Sequence, residues 1–213
     1  MESMLFGHRD LITLTNAAQP FDRVGWIFEI KYDGWRIVAR TRPTPSLMSR
    51  RGREMVRSFP ELAEELAGLP DLILDGELVI LDDRGHPQFE RIKRRGLMSR
   101  PVAVKHAAHT DPAVIVAFDL LMLKGKDLRK QPLLARKAAL QSVLKNAKRI
   151  STQITSVNMA SVSTRKQWSL SLRGIVAKRA DSRYVSGRSH DWVKIKTPAG
   201  RSRESKRMEH LKR

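Results

Sequence analysis

The segment from Glu29 to Arg36 brings together side chains that suit covalent chemistry on a phosphate. Lys31 closes an apolar stretch and is followed at once by an Asp33-Gly34 turn. An amine becomes a nucleophile only after losing its proton, and partial burial or neighbouring cations lower the pKa of a lysine. Arg36 is close enough in sequence to hold a phosphate or a ribose. The segment predicts a nucleophilic lysine; the alternative is a β-hairpin edge with a solvated lysine.

Five further short motifs follow along the chain, at residues 49–52, 74–78, 117–121, 174–178 and 192–196. Each has a purely structural alternative. Phe118 on an apolar strand would usually be a core residue, and Glu77 after a turn would usually be solvated. Lys194 and Lys196 share one face of a strand, which could be an ordinary exposed face. The joint appearance of the motifs favours the functional interpretation over these alternatives.

With the segment Lys31-Tyr32-Asp33-Gly34-Trp35-Arg36, these motifs resemble, in type and order, those of the covalent nucleotidyltransferases. That group comprises the ATP-dependent ligases and the mRNA capping enzymes. The phrases around the first and last motifs, at residues 20–34 and 186–192, look like the ligase domain of bacterial end-joining ligases, the ligase D group.

The resemblance implies that Lys31 is the lysine that becomes linked to AMP. It implies a nucleotide site formed by Glu29, Ile30, Arg36, Arg50, Glu77, Phe118, Lys194 and Lys196. The ring of Phe118 is expected to stack on adenine, and Arg50 to contact the ribose. The two lysines of the last motif are expected at the α-phosphate. Glu77 is expected to serve the ribose or a metal ion, with ATP and Mg²⁺ or Mn²⁺ as cofactors.

Hydrophobic and turn patterns place the motifs on strands and loops. Strands are predicted at 26–31, 35–39, 72–74, 77–81, 114–118, 175–177 and 192–196. A capping box at 58–61 predicts a helix to about residue 66, and a second helix is predicted at 136–145. Strands outnumber helices, which indicates an α+β fold with antiparallel sheets.

The resemblance narrows that fold to the ATP-grasp-like nucleotidyltransferase domain of the DNA ligase and mRNA capping type. We expect this domain to occupy residues 1–197 and a flexible basic tail to occupy residues 198–213. Ligases of this kind continue into a C-terminal OB-fold domain, and we expect this chain to be without one.

Residues 151–173 depart from the family. The stretch is rich in Ser and Thr and has no acidic residue. Arg173 stands directly before the motif at 174–178, where the family has a glutamate that helps to hold a metal ion. One hypothesis is a shifted reading frame. One permitted set of codons, read one base out of register, gives an acidic helical sequence and restores the glutamate. Sequencing the gene across these codons tests the hypothesis.

The charge of the chain indicates its partner. Forty-one Lys and Arg residues oppose 22 Asp and Glu residues, a formal net charge of +19. Such a field attracts polyanions, and nicked or broken double-stranded DNA is the expected partner. A separate end-binding or polymerase protein is a candidate partner. No apolar stretch approaches the roughly 20 residues that span a bilayer, and cysteine is absent. We therefore expect a cytoplasmic, nucleoid-associated protein that does not bind membranes.

The implied function is an ATP-dependent DNA ligase adenylation domain that forms lysyl-AMP and serves break sealing in repair and recombination. Arg173 and the expected lack of an OB-fold domain predict an incomplete or impaired stand-alone ligase. Two alternatives stay open. One is an RNA ligase or guanylyltransferase relative that uses the same lysine. The other is a non-catalytic basic remnant that binds DNA.

Overall fold

Two β-sheets and four α-helices make up the residues that the computed structural model describes, 7–17, 19–158 and 174–196. The strands are β1 Ile12–Asn16, β2 Trp26–Ile30, β3 Trp35–Arg40, β4 Ser46–Ser49, β5 Leu72–Val79, β6 Val114–Leu123, β7 Lys126–Asp127, β8 Ile150–Thr152, β9 Thr155–Ser156, β10 Gly174–Arg179 and β11 Gly187–Lys196. The helices are α1 Pro60–Gly68, α2 Phe89–Gly96, α3 Pro101–Thr110 and α4 Leu133–Val143. Short 3-10 turns occupy His8–Asp10 and Val56–Ser58.

The first sheet has the strand order β1-β11-β10-β2-β9, and the second has the order β4-β3-β5-β6-β7 with β8 beside β6. Most neighbouring strands are antiparallel. Two parallel pairs interrupt the pattern, β1 with β11 and β6 with β8. The chain crosses between the sheets directly after β2 and returns through β9, which follows β8 of the second sheet almost immediately.

The alternation of side chains along β2 determines which residues lie on each face of the first sheet. Phe28 and Ile30 pack with Ile175 and Ile195 on the outer face. Since successive side chains of a strand point to opposite faces, Ile27 and Glu29 face the second sheet. Ile27 joins an apolar cluster that includes Ile73 and Leu121 of the second sheet, so this cluster holds the sheets together.

Helices α1, α2 and α4 contribute side chains to an apolar cluster on the second sheet. Leu62 and Leu66 of α1 and Leu140 of α4 are fully buried in the largest apolar cluster, together with Ile37 and Ile115. On α4, Arg136 binds both carboxylate oxygens of Asp119 at 2.7 Å, with both side chains fully buried. Arg136 also donates to the carbonyl oxygen of Ser182 at 2.9 Å, which fixes α4 to the loop after β10.

The α+β class with largely antiparallel sheets is confirmed, and three local predictions were wrong. The break expected at Asp75-Gly76 is a register shift inside one continuous strand, β5. Ser58 makes no cap: α1 begins at Pro60, and the Glu61 side chain binds Arg95 instead. Helix α4 starts and ends earlier than the predicted 136–145. Sequence patterns also missed β1, β4, β7, β8, β9, α2 and α3.

Among the helices of the described ranges, none combines the length and the apolar character needed to cross a bilayer.

Candidate functional site

A pocket of about 770 Å³ lies between the facing sides of the two sheets. All predicted site residues except Lys196 line it: Glu29, Ile30, Lys31, Arg36, Arg50, Glu77, Phe118 and Lys194. Its lining carries seven Lys or Arg residues and two carboxylates. This excess of positive charge suits a polyanionic ligand.

Lys31 stands at the crossover between the sheets. Strand β2 ends at Ile30 in the first sheet, and β3 begins at Trp35 in the second, so the two strands are not paired. The hairpin alternative is therefore wrong. The backbone N–H of Lys31 donates to the carbonyl oxygen of Gly174 at 3.0 Å, which holds the half-buried lysine against β10.

Two glycines make this crossover possible. A Cβ at Gly34 would lie 2.3 Å from the carbonyl oxygen of Leu78. A Cβ at Gly174 would lie 2.8 Å from the carbonyl oxygen of Ile195 and 3.8 Å from Cδ of Lys31. Gly34 and Gly174 thus leave room for neighbouring backbone.

Glu77 projects from β5 beside the crossover. Its Oε1 accepts a hydrogen bond from the backbone N–H of Gly34 at 3.2 Å. Burial raises the pKa of Glu77 to about 7, against the opposing effect of Lys31 and Arg36. The carboxyl group therefore changes charge close to neutral pH, next to the candidate nucleophile.

Glu29 lies deeper, on the floor of the pocket. Its side chain is buried and bridges two lysines, with Nζ of Lys137 at 2.5 Å and Nζ of Lys178 at 2.7 Å. Burial alone would raise the pKa of Glu29, but the two cations outweigh it and the pKa is lowered. Burial in turn lowers the pKa of Lys178 to about 8.

Phe118 belongs to an aromatic and cationic wall of the pocket. The ammonium of Lys178 lies 4.5 Å from the centroid of the Phe118 ring and 3.8 Å from that of Trp192. The two rings meet edge to face, with centroids 6.1 Å apart. The guanidinium carbon of Arg36 also lies 5.5 Å from the centroid of the half-buried Phe118 ring, which lines the pocket where an adenine is expected.

Arg36 forms a clamp between the sheets. It binds both oxygens of Asp75, at 3.0 and 2.6 Å, and donates to the carbonyl oxygen of Ile12 in β1 at 2.6 Å. Tyr184 completes the clamp: its hydroxyl donates to Asp75 at 2.6 Å and accepts from the N–H of Ile12 at 3.2 Å. Most donors of Arg36 are therefore already engaged within the protein.

The remaining predicted cations differ in how well they are defined. Arg50 is exposed at the pocket edge, and the pocket lining also includes Arg51 and Arg53, which sequence patterns missed. Lys194 lines the pocket from β11. The side chain of Lys196, Arg173, residues 159–172 and the tail 198–213 lie outside the described residues.

The sequence signals also missed the supporting residues Asp75, Lys137, Gln153 and Tyr184. Asp75 lies in the motif at 74–78, two positions before Glu77, so this motif was a signal that could have identified it. The other three touch the site only through contacts between distant parts of the chain. The beginning of the anomalous stretch is likewise integrated in the fold, since residues 150–152 and 155–156 form β8 and β9.

The donor set near Glu77 fits a magnesium ion that comes with its substrate. In the described ranges no cluster of three or more His, Cys, Asp or Glu side chains could hold a metal by itself. Asp75 is committed to Arg36. Magnesium in phosphate-transferring sites is commonly held by one or two carboxylates plus phosphate oxygens and water, and Glu77 can supply such a carboxylate.

Proteins similar to this chain in sequence and architecture include DNA ligases. A mycobacterial DNA ligase D solved in complex with ATP and MES superimposes with a TM-score of 0.67 at 30% identity, over 88% of this chain and 60% of that one. The bifunctional non-homologous end joining protein LigD of Bacillus subtilis is 31% identical over 190 residues, covering 80% of this chain and 31% of that protein. The SPbeta prophage-derived DNA ligase-like protein LigB of the same organism is 31% identical, over 85% of this chain and 65% of that protein.

This chain spans about a third of the Bacillus end joining protein. Residues 11–196 match the family described as the ATP dependent DNA ligase domain. That match takes in β1 to β11 and every described residue of the pocket. The chain therefore belongs to the ATP-dependent DNA ligase domain family, as an adenylation domain of the LigD type.

Proposed function

We propose that this domain transfers AMP from ATP to the side chain of Lys31 and then to a 5′-phosphate at a DNA break. The observation that carries the proposal is the position of Lys31 at the sheet crossover, inside a pocket with seven basic and two acidic side chains. The proposed role in break repair and recombination rests on the similarity to end joining ligases.

In the first step the Lys31 amine, having given its proton to solvent, attacks the α-phosphorus of ATP. The Nζ–P bond forms, the bond to the bridging oxygen of the β-phosphate breaks, and pyrophosphate leaves with the electron pair. Lys194 and the exposed Arg50 and Arg51 offset the negative charge on the phosphates. Phe118 supports the base, and Gly34 and Gly174 keep the crossover close to the phosphate.

Glu77 is the residue that would hold magnesium, together with oxygens of the triphosphate. Such an ion would supply positive charge at the phosphorus undergoing attack. Since the pKa of Glu77 is raised to about 7, the carboxylate that binds the ion becomes fully available only above that pH. Adduct formation should therefore rise as the pH passes through 7.

The test is intact-protein mass spectrometry after incubation with ATP and magnesium. Wild-type protein should gain the mass of one AMP, and Lys31→Ala should gain none. Lys194→Ala is expected to form the same adduct more slowly, because it loses a phosphate contact and keeps the nucleophile. An adduct of equal yield in Lys31→Ala would contradict the assignment of the nucleophile. DNA binding without any adduct would favour the non-catalytic remnant.

We further propose that DNA follows a basic rim beside the pocket, made of Arg51, Arg53, Lys93 and Arg94. All four side chains are exposed. The guanidinium of Arg53 donates to the carbonyl oxygen of Gly96 at 2.9 Å, which joins the loop after β4 to the end of α2. Lys93 and Arg94 form ion pairs of 3.5 Å with Glu90 and Asp111, and their side chains are 54% and 67% exposed, so phosphates can reach them.

Replacing Lys93 and Arg94 together by alanine should weaken binding to nicked duplex and reduce the slope of log K against log salt by about 2. The matched control replaces Lys126 and Lys130, exposed cations at the opposite edge of the second sheet. Equal slopes for the two double variants would place the DNA elsewhere.

A further inference from the structure

Gln153 lies in the short connection between β8 of the second sheet and β9 of the first. It is the first residue after β8, and only Ile154 separates it from β9. Its backbone N–H donates to the carbonyl oxygen of Ala117 at 2.7 Å, directly before Phe118. The residue is 6% exposed and lines the pocket.

The side chain of Gln153 continues the hydrogen bonding of β2 beyond the end of its pairing with β9. Strand β9 pairs only with Phe28 and Glu29, so the ladder ends one residue before Ile30. Nε2 of Gln153 donates to the carbonyl oxygen of Ile30 at 3.2 Å. A carbonyl oxygen only accepts hydrogen bonds, so the amide nitrogen must face Ile30 and the amide oxygen Oε1 must face away.

We propose that Gln153 determines base specificity by selecting a purine that carries an amino group at C6. The inference rests on the proposed binding of a nucleotide beside Phe118. The carbonyl oxygen of Ile30 has a second lone pair, and the anchored amide contributes Oε1 as a further acceptor. Both carboxylate oxygens of Glu29 are already held by lysines. The amino group of adenine can donate to these acceptors. The carbonyl oxygen of guanine is itself an acceptor, so its contact with them is repulsive.

The experiment measures binding of ATP and of GTP, each with magnesium, by titration calorimetry on the full chain. Wild-type protein should prefer ATP. In Gln153→Leu the ratio of ATP to GTP affinity should fall about tenfold, the size of one hydrogen bond, mainly through weaker ATP binding. The matched control is Gln141→Leu on the exposed side of α4, which should keep the wild-type ratio.

Gln153→Glu provides a second variant of nearly the same shape. A carboxylate cannot donate to Ile30 but still presents acceptor oxygens to the amino group, so this variant should keep the preference for ATP that Gln153→Leu weakens. An unchanged ratio in Gln153→Leu overturns the proposal. Selective ATP binding without a Lys31 adduct leaves the role of Gln153 intact and counts against AMP transfer only. Failure of wild-type protein to bind either nucleotide overturns both proposals.

Discussion

Glu29 and Glu77 both line the pocket, but their surroundings shift their pKa values in opposite directions. Glu29 bridges two lysine ammonium groups within 2.7 Å and stays a carboxylate. Glu77 has one backbone N–H at 3.2 Å and more distant cations, and burial raises its pKa to about 7. Glu29 is buried and Glu77 is only half-buried, yet the pKa of Glu29 is lowered and that of Glu77 is raised. The number of cations in direct contact decides the outcome, so the first carboxylate is structural in character and the second can respond to pH and to a metal ion.

Removing the charge of Glu29 should have the largest effect on stability. Glu29→Gln leaves Lys137 and Lys178 without their shared carboxylate in a buried place. We expect the free energy of unfolding to fall by about 3–5 kcal/mol, as for other broken buried ion pairs. Urea denaturation at pH 7 measures the change. A loss of about 1 kcal/mol or less, the size typical of a surface ion pair, would mean that water reaches the two lysines.

Ionisation of Glu77 should change the free energy of unfolding by a smaller amount. Here the charged form is the destabilising one, in contrast to Glu29. The folded pKa of Glu77 lies above the unfolded value of 4.5, so its stabilising contribution is complete below pH 4.5 and is lost as the pH rises through about 7. Because Glu77 is only half-buried, water screens part of this effect, and we expect the stability of the wild type relative to Glu77→Gln to fall by about 2 kcal/mol between pH 4 and pH 8. The amide keeps an acceptor for Gly34. Parallel stability curves for the two proteins would show that the pKa of Glu77 is ordinary.

The smallest effect should come from a neutral neighbour of Glu29. The hydroxyl of Thr155 donates to Oε1 of Glu29 at 3.4 Å, a long contact beside two much closer ammonium groups. Thr155→Val should cost about 0.5–1 kcal/mol in urea denaturation, a typical value for one hydrogen bond between protein groups. A cost as large as that of Glu29→Gln would mean that the lysines contribute little to holding the carboxylate.

The sequence predicted the parts of the site that lie within short motifs. Lys31, Glu77, Phe118 and Lys194 line one pocket, and each belongs to a contiguous pattern of strand and turn residues. The supporting contacts join distant residues: Gln153 meets Ile30 across 123 positions, and Tyr184 meets Asp75 across 109. No local pattern encodes such pairs, because they depend on how the two sheets face each other.

The same limit explains the errors in the fold. Alternating apolar residues revealed most strands, but the Asp75-Gly76 pair resembled a turn in sequence. In the structure Asp75 is fully buried because Arg36 on the neighbouring strand β3 forms an ion pair with it and the Tyr184 hydroxyl donates to it. Tertiary contacts thus kept a strand continuous where local propensity favoured a break.

The parallel pairing of β1 with β11 has a consequence for protein synthesis. Ile12 lies opposite Gly187, and Asn16 lies opposite Lys194, so β1 gains its partner only after nearly the whole domain has been translated. Contacts between such distant residues form slowly. A ribosome-bound chain that ends before residue 187 has neither Lys194 nor the partner strand of β1. Such a nascent chain cannot assemble the complete pocket, so ATP cannot serve as a ligand that guides the early stages of folding.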